Sequence, residues 1–508
     1  MKILFVNPPD ENKVKEYASE KDDGEEYIGS DDFGHFPPLG LLYVMSYLEN
    51  NTGNHEIFFK DCVAEHISHK ELKNIIYNIK PDLFALTSFT VSLVDVVIAA
   101  KTCKEITPNC HVCLGGHHPI AFPFEASKLK EVDSVVVGEG EIVFTELVNS
   151  IESGQDITNI KGVYTSESIE KFVNNTLPRD KRFLNKVSVP AAYVDDIENL
   201  PIPNRDYISH IKYKSTIGVS NKLATMISSR GCPYKCTFCD VPIKTHRRRS
   251  PEKVVDEMFD CQKKGYDEIH FYDDLFNITP QRLTDICDEI DKRQLKITWD
   301  FRGRVNGVNR ESLRRFKKSG GRMISFGIET ASTEGLKVLR KGSTVKQNID
   351  ALKWCREIGI VSVADYMIGL PFEKTETDVI ESLNVLRKKY RPDYAQFGIL
   401  SLYPNTQIYD QAVEKNLIEK DKWNKWALDP LGSELIVDHW NEFISTPRLV
   451  ELQKLAYKSF YFRPSVIIKE FLRVRSFHEF KAKVKGALTV LEFKSIGNER
   501  HKNVNTYS

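Results

Sequence analysis

Residues 230–240 read Arg-Gly-Cys-Pro-Tyr-Lys-Cys-Thr-Phe-Cys-Asp, and they follow an apolar run at 225–228 with the pattern of a buried strand. Cys232, Cys236 and Cys239 form a CxxxCxxC run. Thiolates are the usual ligands of iron–sulfur clusters, and one short loop can wrap three of them around a single cluster. Three local ligands leave one iron of a 4Fe-4S cluster open, able to chelate a small molecule and pass it an electron. Zinc sites usually pair a CxxC with a second pair or with histidine, and none follows at suitable distance. Pro233, Tyr234, Lys235 and Thr237 are not core residues, which argues against a buried apolar cysteine cluster. The other seven cysteines are scattered. Cys110 and Cys113 form a CxxC, but Cys113 reads as part of a strand, and free cysteine is often a small core residue.

Downstream of this loop the pattern alternates. Strand candidates at 225–228, 268–272, 296–300, 322–327, 362–368 and 394–402 are separated by amphipathic stretches such as 251–264 and 346–358. Ser250, Pro251 and Glu252 make a helix start with an N-cap, a proline at the first helical position and an acid in the first turn. Six βα units predict a partial parallel barrel with its chemistry at the C-terminal strand ends.

Upstream, strand candidates at 3–7, 56–60, 83–87, 111–114 and 134–137 alternate with helical stretches such as 41–48 and 71–79, the signature of an open parallel sheet. Ligands of such sheets bind beyond the carboxyl ends of the strands. Those ends carry Asn7-Pro8-Pro9, Asp61, Ser88, the run Gly115 to Pro119, and Gly138-Glu139-Gly140-Glu141. An acidic segment from Asp10 to Phe36 leaves the same rim and reads as a structureless loop of lid length. From 159 to 205 short strand-like pieces at 162–164 and 172–173 predict a linker with a small hairpin. The expected division is 1–155, 156–215, 216–440 and 441–508, the last a basic helical region.

The 508 residues are 41% hydrophobic and 28% charged, a globular composition with room for two or three domains. Lys plus Arg and Asp plus Glu number 71 each, so no field of one sign points to nucleic acid. The opening Met1 to Pro9 reads as a strand and turn rather than a secretory leader, and the cysteine usage suits a reducing cytoplasm. The longest apolar stretch, 83–100, is interrupted by Thr87, Ser88, Thr90, Ser92 and Asp95, and reads as a strand running into a helix rather than a membrane span. From Lys454 to Ser508 the chain carries 12 basic and 4 acidic residues. That is a solvated helical tail, or a surface for anionic lipid or substrate.

Taken together, the motifs resemble the radical S-adenosylmethionine (SAM) superfamily, and the chain before them looks like the cobalamin-binding (B12-binding) domain fused to some of its members. The likeness rests on the cysteine run and on NPP at 7–9, FPPLGLLYVMSYL at 36–48, GGHHP at 115–119, VVGEGE at 136–141, LPIPNRD at 200–206, FYDDLFN at 271–277, FGIETAS at 326–332, MIGLP at 367–371, YPNTQIY at 403–409 and FYFRPS at 460–465. The implied fold class is α/β: a doubly wound, flavodoxin- or Rossmann-like parallel sheet, then a partial (β/α)6 TIM-like barrel, then a helical tail.

The resemblance implies that Cys232, Cys236 and Cys239 ligate a 4Fe-4S cluster and that SAM takes the fourth iron, to be cleaved reductively into methionine and a 5'-deoxyadenosyl radical. It implies SAM contacts at Phe238, Asp273, Asp274, Arg302, Glu329, Gly369 and Pro371, with Arg304 an alternative to Arg302, and either aspartate able to cap the next helix instead. For cobalamin it implies Ser88, Gly115, Gly116, His117, Gly138 and Glu139. The DxHxxG signature that supplies a lower cobalt ligand in other cobalamin proteins is missing, since the run Asp61 to His66 has neither its spacing nor its glycine. That removes the usual basis for His66 or His117 as a ligand without removing the cofactor, because related radical SAM proteins commonly lack that histidine too. No catalytic residue is assigned.

The expected function is cobalamin-dependent methyl transfer to a carbon or a phosphinate. Its competitors are a cobalamin-dependent radical rearrangement or cyclisation without methyl transfer, and a non-catalytic iron–sulfur regulatory protein. A methylthiotransferase would want cluster cysteines in its first domain and a small C-terminal RNA-binding barrel, and neither is apparent. Expected partners are a small organic substrate and an external flavodoxin- or ferredoxin-type electron donor, with no nucleic acid, and peripheral lipid contact through the basic C-terminal region.

Overall fold

The computed structural model describes residues 1–12, 14–17, 26–28, 34–53, 55–176, 189–215, 218, 220, 222–464, 466 and 468. The first sheet is built on β1 (Lys2–Asn7), β2 (Glu56–Asp61), β3 (Leu83–Thr87), β4 (His111–Gly115) and β5 (Ser134–Val136), parallel in the order 2-1-3-4-5, with β6 (Val163–Tyr164) antiparallel at the β5 edge. This is the doubly wound order whose ligand crevice lies at the carboxyl ends of the strands, beside the point where the order reverses. Ile3, Leu4, Phe5 and Val6 are all fully buried. Successive strand side chains face opposite sides. Ile3 and Phe5 therefore enter one apolar layer, with Leu42 of helix α1 (Leu39–Asn51) and Leu147 of α2 (Gly140–Glu152), while Leu4 and Val6 enter the other.

Two expectations for this region are corrected. Residues 172–173 do not form a hairpin strand but lie in α3 (Ser166–Thr176), because Ile169 and Val173, four apart, are its buried residues and make a helical stripe. The acidic segment is not structureless where it is described. Val14–Tyr17 pairs antiparallel with Glu26–Ile28, and Lys15 bridges to Ile436 near the other end of the chain. Most of the segment, and the tail from 469 onward, lie outside the described residues.

The second sheet runs β7 (Leu223–Met226), β8 (Glu268–Phe271), β9 (Thr298–Gly303), β10 (Gly321–Glu329), β11 (Val361–Ile368) and β12 (Tyr394–Ile399), all parallel and in sequential order, an open six-unit barrel. Ile269, Phe271, Trp299, Phe301, Ile324 and Phe326 pack outward on the helices. The alternate positions, among them His270, Asp300, Arg302 and Ser325, face a polar lumen. The free edge of β12 is blunted by the helix Thr446–Tyr461: the Tyr461 hydroxyl accepts from Ala395 N at 3.1 Å and donates to Ala395 O at 2.8 Å, and Tyr457 Oη accepts from Phe397 N at 3.2 Å. Among the described residues no helix is long and apolar enough to cross a membrane.

A buried ionic cluster joins the two sheets through the linker. Glu257 of helix α4 (Pro251–Lys263) is fully buried, and its Oε1 accepts from Arg205 Nη2 at 2.5 Å. Its Oε2 accepts from Arg249 and, at 3.3 Å, from the Tyr43 hydroxyl of α1. Arg205, the arginine of LPIPNRD, is 1% exposed and also donates to Thr225 O on β7 at 2.9 Å. Burial alone would raise the Glu257 carboxyl, but the charges of Arg249 and Arg205 and their hydrogen bonds hold it below the usual carboxylate range. The linker is thus locked into the interface.

Candidate functional site

The cysteine loop leaves β7 and is braced at its base by acids of the FYDDLFN motif. Both Asp273 oxygens are engaged: Oδ1 by Ser228 N at 2.8 Å, Oδ2 by the Ser228 and Ser229 hydroxyls at 2.5 and 2.6 Å. Burial pushes the Asp273 carboxyl up to about 6 against those hydrogen bonds. Asp274 Oδ2 accepts from Gly231 N at 2.8 Å. Gly231 has φ +82°, and a Cβ there would lie 2.3 Å from Thr245 O. Only glycine fits. A Gly231→Ala chain should therefore hold several-fold less iron per chain after anaerobic reconstitution, read by iron and sulfide analysis, with the melting of the rest of the protein little changed.

Further on, Cys232 N donates to Ile243 O at 2.9 Å, Thr237 N to Leu339 O at 3.1 Å, and Ile408 N to Thr237 O at 2.9 Å, so neighbouring segments pin the loop along its length. Cys232, Cys236 and Cys239 are partly exposed, whereas the other seven cysteines, Cys110 and Cys113 included, are buried. Burial raises the Cys232 and Cys239 thiols, an effect opposed by backbone N–H groups and, at Cys232, by Arg304. Thiols in that state become ligands when a metal displaces the proton.

Arg304, not Arg302, stands beside this loop. Its guanidinium lies 3.7 Å from the centre of the Tyr234 ring, with Nη1 3.6 Å from Cys236 Sγ. Nη2 is buried without a hydrogen-bond partner among the described residues. Asn277 holds Arg304 in place, its side chain exchanging hydrogen bonds with Arg304 N and O at 2.9 and 2.8 Å. Arg302 instead faces the lumen, 5.5 Å from the Tyr272 ring.

Glu329 ends β10 with φ +62°, a left-handed conformation costly for a side chain of this kind and concentrated at functional sites. Its Oε1 pairs with Lys341 Nζ at 2.5 Å, and Lys341 lies 5.8 Å from the Phe238 ring. Gly369 has φ +75° and opens the turn to Pro371, where Leu370 N donates to Glu373 Oε2 at 2.9 Å; burial pushes the Glu373 carboxyl up to about 7. Loop cysteines, Phe238, Glu329 and Arg304 thus share one rim, and Asp273 and Asp274 stand behind it.

On the first sheet's rim, Ser88 N donates to Gly115 O at 3.0 Å and His118 N to Ser88 O at 2.9 Å. A Cβ on Gly116 would sit 2.7 Å from Ser88 O, so the backbone turns there as closely as glycine permits. His117 stacks on Phe89 with ring centres 5.0 Å apart, and Phe89 is 56% exposed. Gly138 and Glu139 are placed differently. A Cβ on Gly138 would fall 2.0 Å from Ala192 O, and Glu139 takes Arg247 at 2.6 and 2.8 Å, Val194 N at 2.6 Å and Arg230 at 3.3 Å. Burial would raise the Glu139 carboxyl, yet the Arg247 hydrogen bonds, the Arg230 charge and Val194 N lower it. Arg230 also pairs with Glu141 at 2.5 Å, tying the residue before Gly231 to the first domain. The apolar cluster containing Leu86 and Phe122 of that domain also contains Leu339, Leu370 and Leu402 of the barrel, with Phe238 packed against it.

The residues present suit the groups that the motifs imply. Three partly exposed thiols lie on one loop, a buried guanidinium nitrogen beside them lacks a partner among the described residues, and Ser88, Gly115, Gly116, His117 and Phe89 stand together at the strand-end rim of the first sheet, Phe89 exposed. Sequence reasoning had no local signal for Lys341, whereas Tyr234 stood within the cysteine loop and Asn277 within FYDDLFN, both already singled out.

The Radical SAM superfamily profile matches residues 226–385, and the B12 binding domain profile matches residues 30–148. An uncharacterized methyltransferase of Pyrococcus horikoshii is 32% identical over 498 residues, covering 96% of this chain and 98% of that protein. An anaerobic magnesium-protoporphyrin IX monomethyl ester cyclase of Rubrivivax gelatinosus is 26% identical, over 84% of this chain and 72% of that one. Among solved structures, the radical SAM methyltransferase TsrM of Kitasatospora setae, with cobalamin and a [4Fe-4S] cluster bound, superposes with a TM-score of 0.67 at 18% identity, covering 91% of this chain and 89% of that one. That likeness concerns the fold.

Proposed function

The chain belongs to the radical SAM superfamily members that carry an N-terminal B12-binding domain, and from that premise we propose that it is a cobalamin-dependent methyltransferase acting on a small organic substrate in the reducing cytoplasm. The observation that supports it best is the shared wall: Phe238, between two cluster cysteines, packs on the apolar cluster that continues into the B12-binding domain. When bound, the cluster, SAM and cobalamin supply reductive cleavage of the sulfonium bond and a carrier for a methyl group.

The protein's part is to hold and orient. Cys232, Cys236 and Cys239 would ligate three irons and leave the fourth to the amino and carboxylate groups of SAM. Arg304 Nη2 is offered to that carboxylate in preference to Arg302, since a buried guanidinium nitrogen gains most from a charged partner. Glu329 accepts from ribose hydroxyls and keeps Lys341 beside Phe238. Gly369 to Pro371 and the Phe238 backbone offer the adenine a close surface. Asp273 and Asp274 fix the loop, and Glu139 clamps the domains. Ser88, Gly115, Gly116 and His117 make the corrinoid rim. An electron donor of flavodoxin or ferredoxin type would approach over Lys235, Lys337 and Arg340, all exposed, the last with its carbonyl 3.8 Å from Cys236 Sγ.

Anaerobically reconstituted protein given SAM, reductant and hydroxocobalamin should form both 5'-deoxyadenosine and S-adenosylhomocysteine, measured by chromatography with mass detection. A second reading, radical cyclisation or rearrangement, is favoured by the similarity to the Rubrivivax cyclase. Deoxyadenosine without the homocysteine product would select it.

A further inference from the structure

The barrel lumen contains a cavity of about 200 Å³ that no cysteine-loop residue lines. Its walls are largely aromatic: Phe36, Tyr272, Tyr394, Tyr457 and Tyr461. Polar side chains interrupt them, Ser215, Asp300, Ser325 and Gln396 among them, and two more on neighbouring strands could take up a ligand. The first is His270 of β8, 4% exposed, with Nδ1 2.6 Å from Asp300 Oδ1. Its Nε2 has no hydrogen-bond partner among the described residues, and Glu268 Oε1 stands 3.9 Å away, beyond hydrogen-bonding reach. In the neutral imidazole that gives Nδ1–H to Asp300, Nε2 presents a lone pair, and a buried acceptor without a donor is costly until one arrives. The second is Arg302 of β9. Its guanidinium lies 5.5 Å from the Tyr272 ring and has no ion pair or side-chain hydrogen bond within bonding distance among the described residues; its charge favours the ionised form of the buried Asp365 carboxylate, which takes Ser325 Oγ at 3.0 Å and keeps its other oxygen without a hydrogen-bond partner.

The register relates the two groups. His270 pairs with Asp300, and Arg302 lies two residues further toward the barrel mouth, roughly 7 Å by the rise of a strand. Planar rings suit walls of this kind, because aromatic side chains stack on them. We propose that this cavity receives the substrate and selects a planar, largely apolar anion, with its acidic group on Arg302 and an N–H or O–H donor, about one six-membered ring away, on His270 Nε2. The inference rests on the radical SAM reading, since the mouth of this lumen is the rim that carries Glu329 and the cysteine loop.

The test uses 4-hydroxybenzoate as the probe, with benzoate lacking the donor and 4-hydroxybenzamide lacking the charge. Binding to the reconstituted, SAM-loaded protein is followed by saturation-transfer NMR. A probe of this size should bind with a low-millimolar Kd. The amide should bind about tenfold more weakly and benzoate several-fold more weakly, as expected for losing a charge-assisted and a neutral hydrogen bond. Arg302→Gln, a change at an exposed side chain, should erase the difference between acid and amide, and His270→Phe the difference between hydroxybenzoate and benzoate. Equal binding of acid and amide, discrimination that survives Arg302→Gln, or no binding at millimolar probe overturns the proposal. Assaying the same wild-type preparation for 5'-deoxyadenosine separates the two levels: SAM cleavage without discrimination refutes the pocket alone, and no SAM cleavage refutes the reading beneath it.

Discussion

Cys236→Ala protein, purified and reconstituted without oxygen, should lose the broad visible absorbance of an iron–sulfur cluster almost completely and form 5'-deoxyadenosine no faster than iron-free chain. The expectation follows from the arrangement of all ten cysteines. Three are partly exposed on one loop, and the remaining seven are buried, so no other described thiol is accessible to take a vacated position. Two thiolates leave a 4Fe-4S cluster short of a protein ligand at a second iron, where solvent and chelators compete. The fold should tolerate the change. Cys236 is partly exposed, with Sγ 3.6 Å from Arg304 Nη1 and 3.8 Å from the Arg340 carbonyl, and a substitution at such a position shifts stability by about 1 kcal/mol or less. Loss of the cluster with an unchanged melting transition is the expected pair of results, and a retained spectrum would defeat the ligand assignment.

Glu257→Ala should destabilise the chain more than any loop change. Removing this carboxylate leaves Arg205 and Arg249, 1% and 4% exposed, as two buried cations without their shared anion. Breaking a buried pair in this way costs about 3–5 kcal/mol, seen as an earlier unfolding transition in denaturant. Glu257→Gln should recover little, because the amide fills the space without the charge. The dependence on pH has a definite sign. The folded protein holds the Glu257 carboxyl below its ordinary 4.5, so its stabilisation is full above that value and fades as pH falls through it toward the folded-state value. Wild-type stability should therefore drop below about pH 5 by a share that the alanine variant lacks, and parallel pH profiles for the two proteins would contradict the assignment.

Much of the architecture was legible because buried parallel strands write themselves as short apolar runs. The run Ile3 to Val6 needs no partner to be recognised, and the 268–271 and 361–368 strands fall where the apolar pattern puts them, while the strand expected at 225–228 lies two residues earlier, at 223–226. The two misreadings have the opposite origin. At 166–176 a helix with only two buried residues offers a weak period, and β-branched Val173 beside Phe172 imitates a strand. Within 10–36, the pairing of Lys15 with the segment around Ile436 depends on contacts some 420 residues away, which no local pattern encodes.

The site divides along the same line. The cysteine triad, the acids after β8, the glycine turn at Gly369 and the proposed corrinoid rim could each be named from sequence, because each is a short run whose chemistry is carried by adjacent residues. Which of two arginines, 302 or 304, reaches the cysteine loop could not. One faces the lumen and the other is turned by Asn277 toward Tyr234, a choice made by hydrogen bonds from another strand end. Glu139 shows the same limit: it carried the motif of a cofactor rim, yet folding set it against Arg230 and Arg247. Short motifs and strand patterns sufficed to point to the family and the fold, and they singled out the three cysteines proposed as metal ligands. Tertiary structure decided the direction in which each charged side chain points, because a guanidinium or carboxylate in a low-dielectric interface goes where its counter-charge is, and that partner is brought near only by the completed fold.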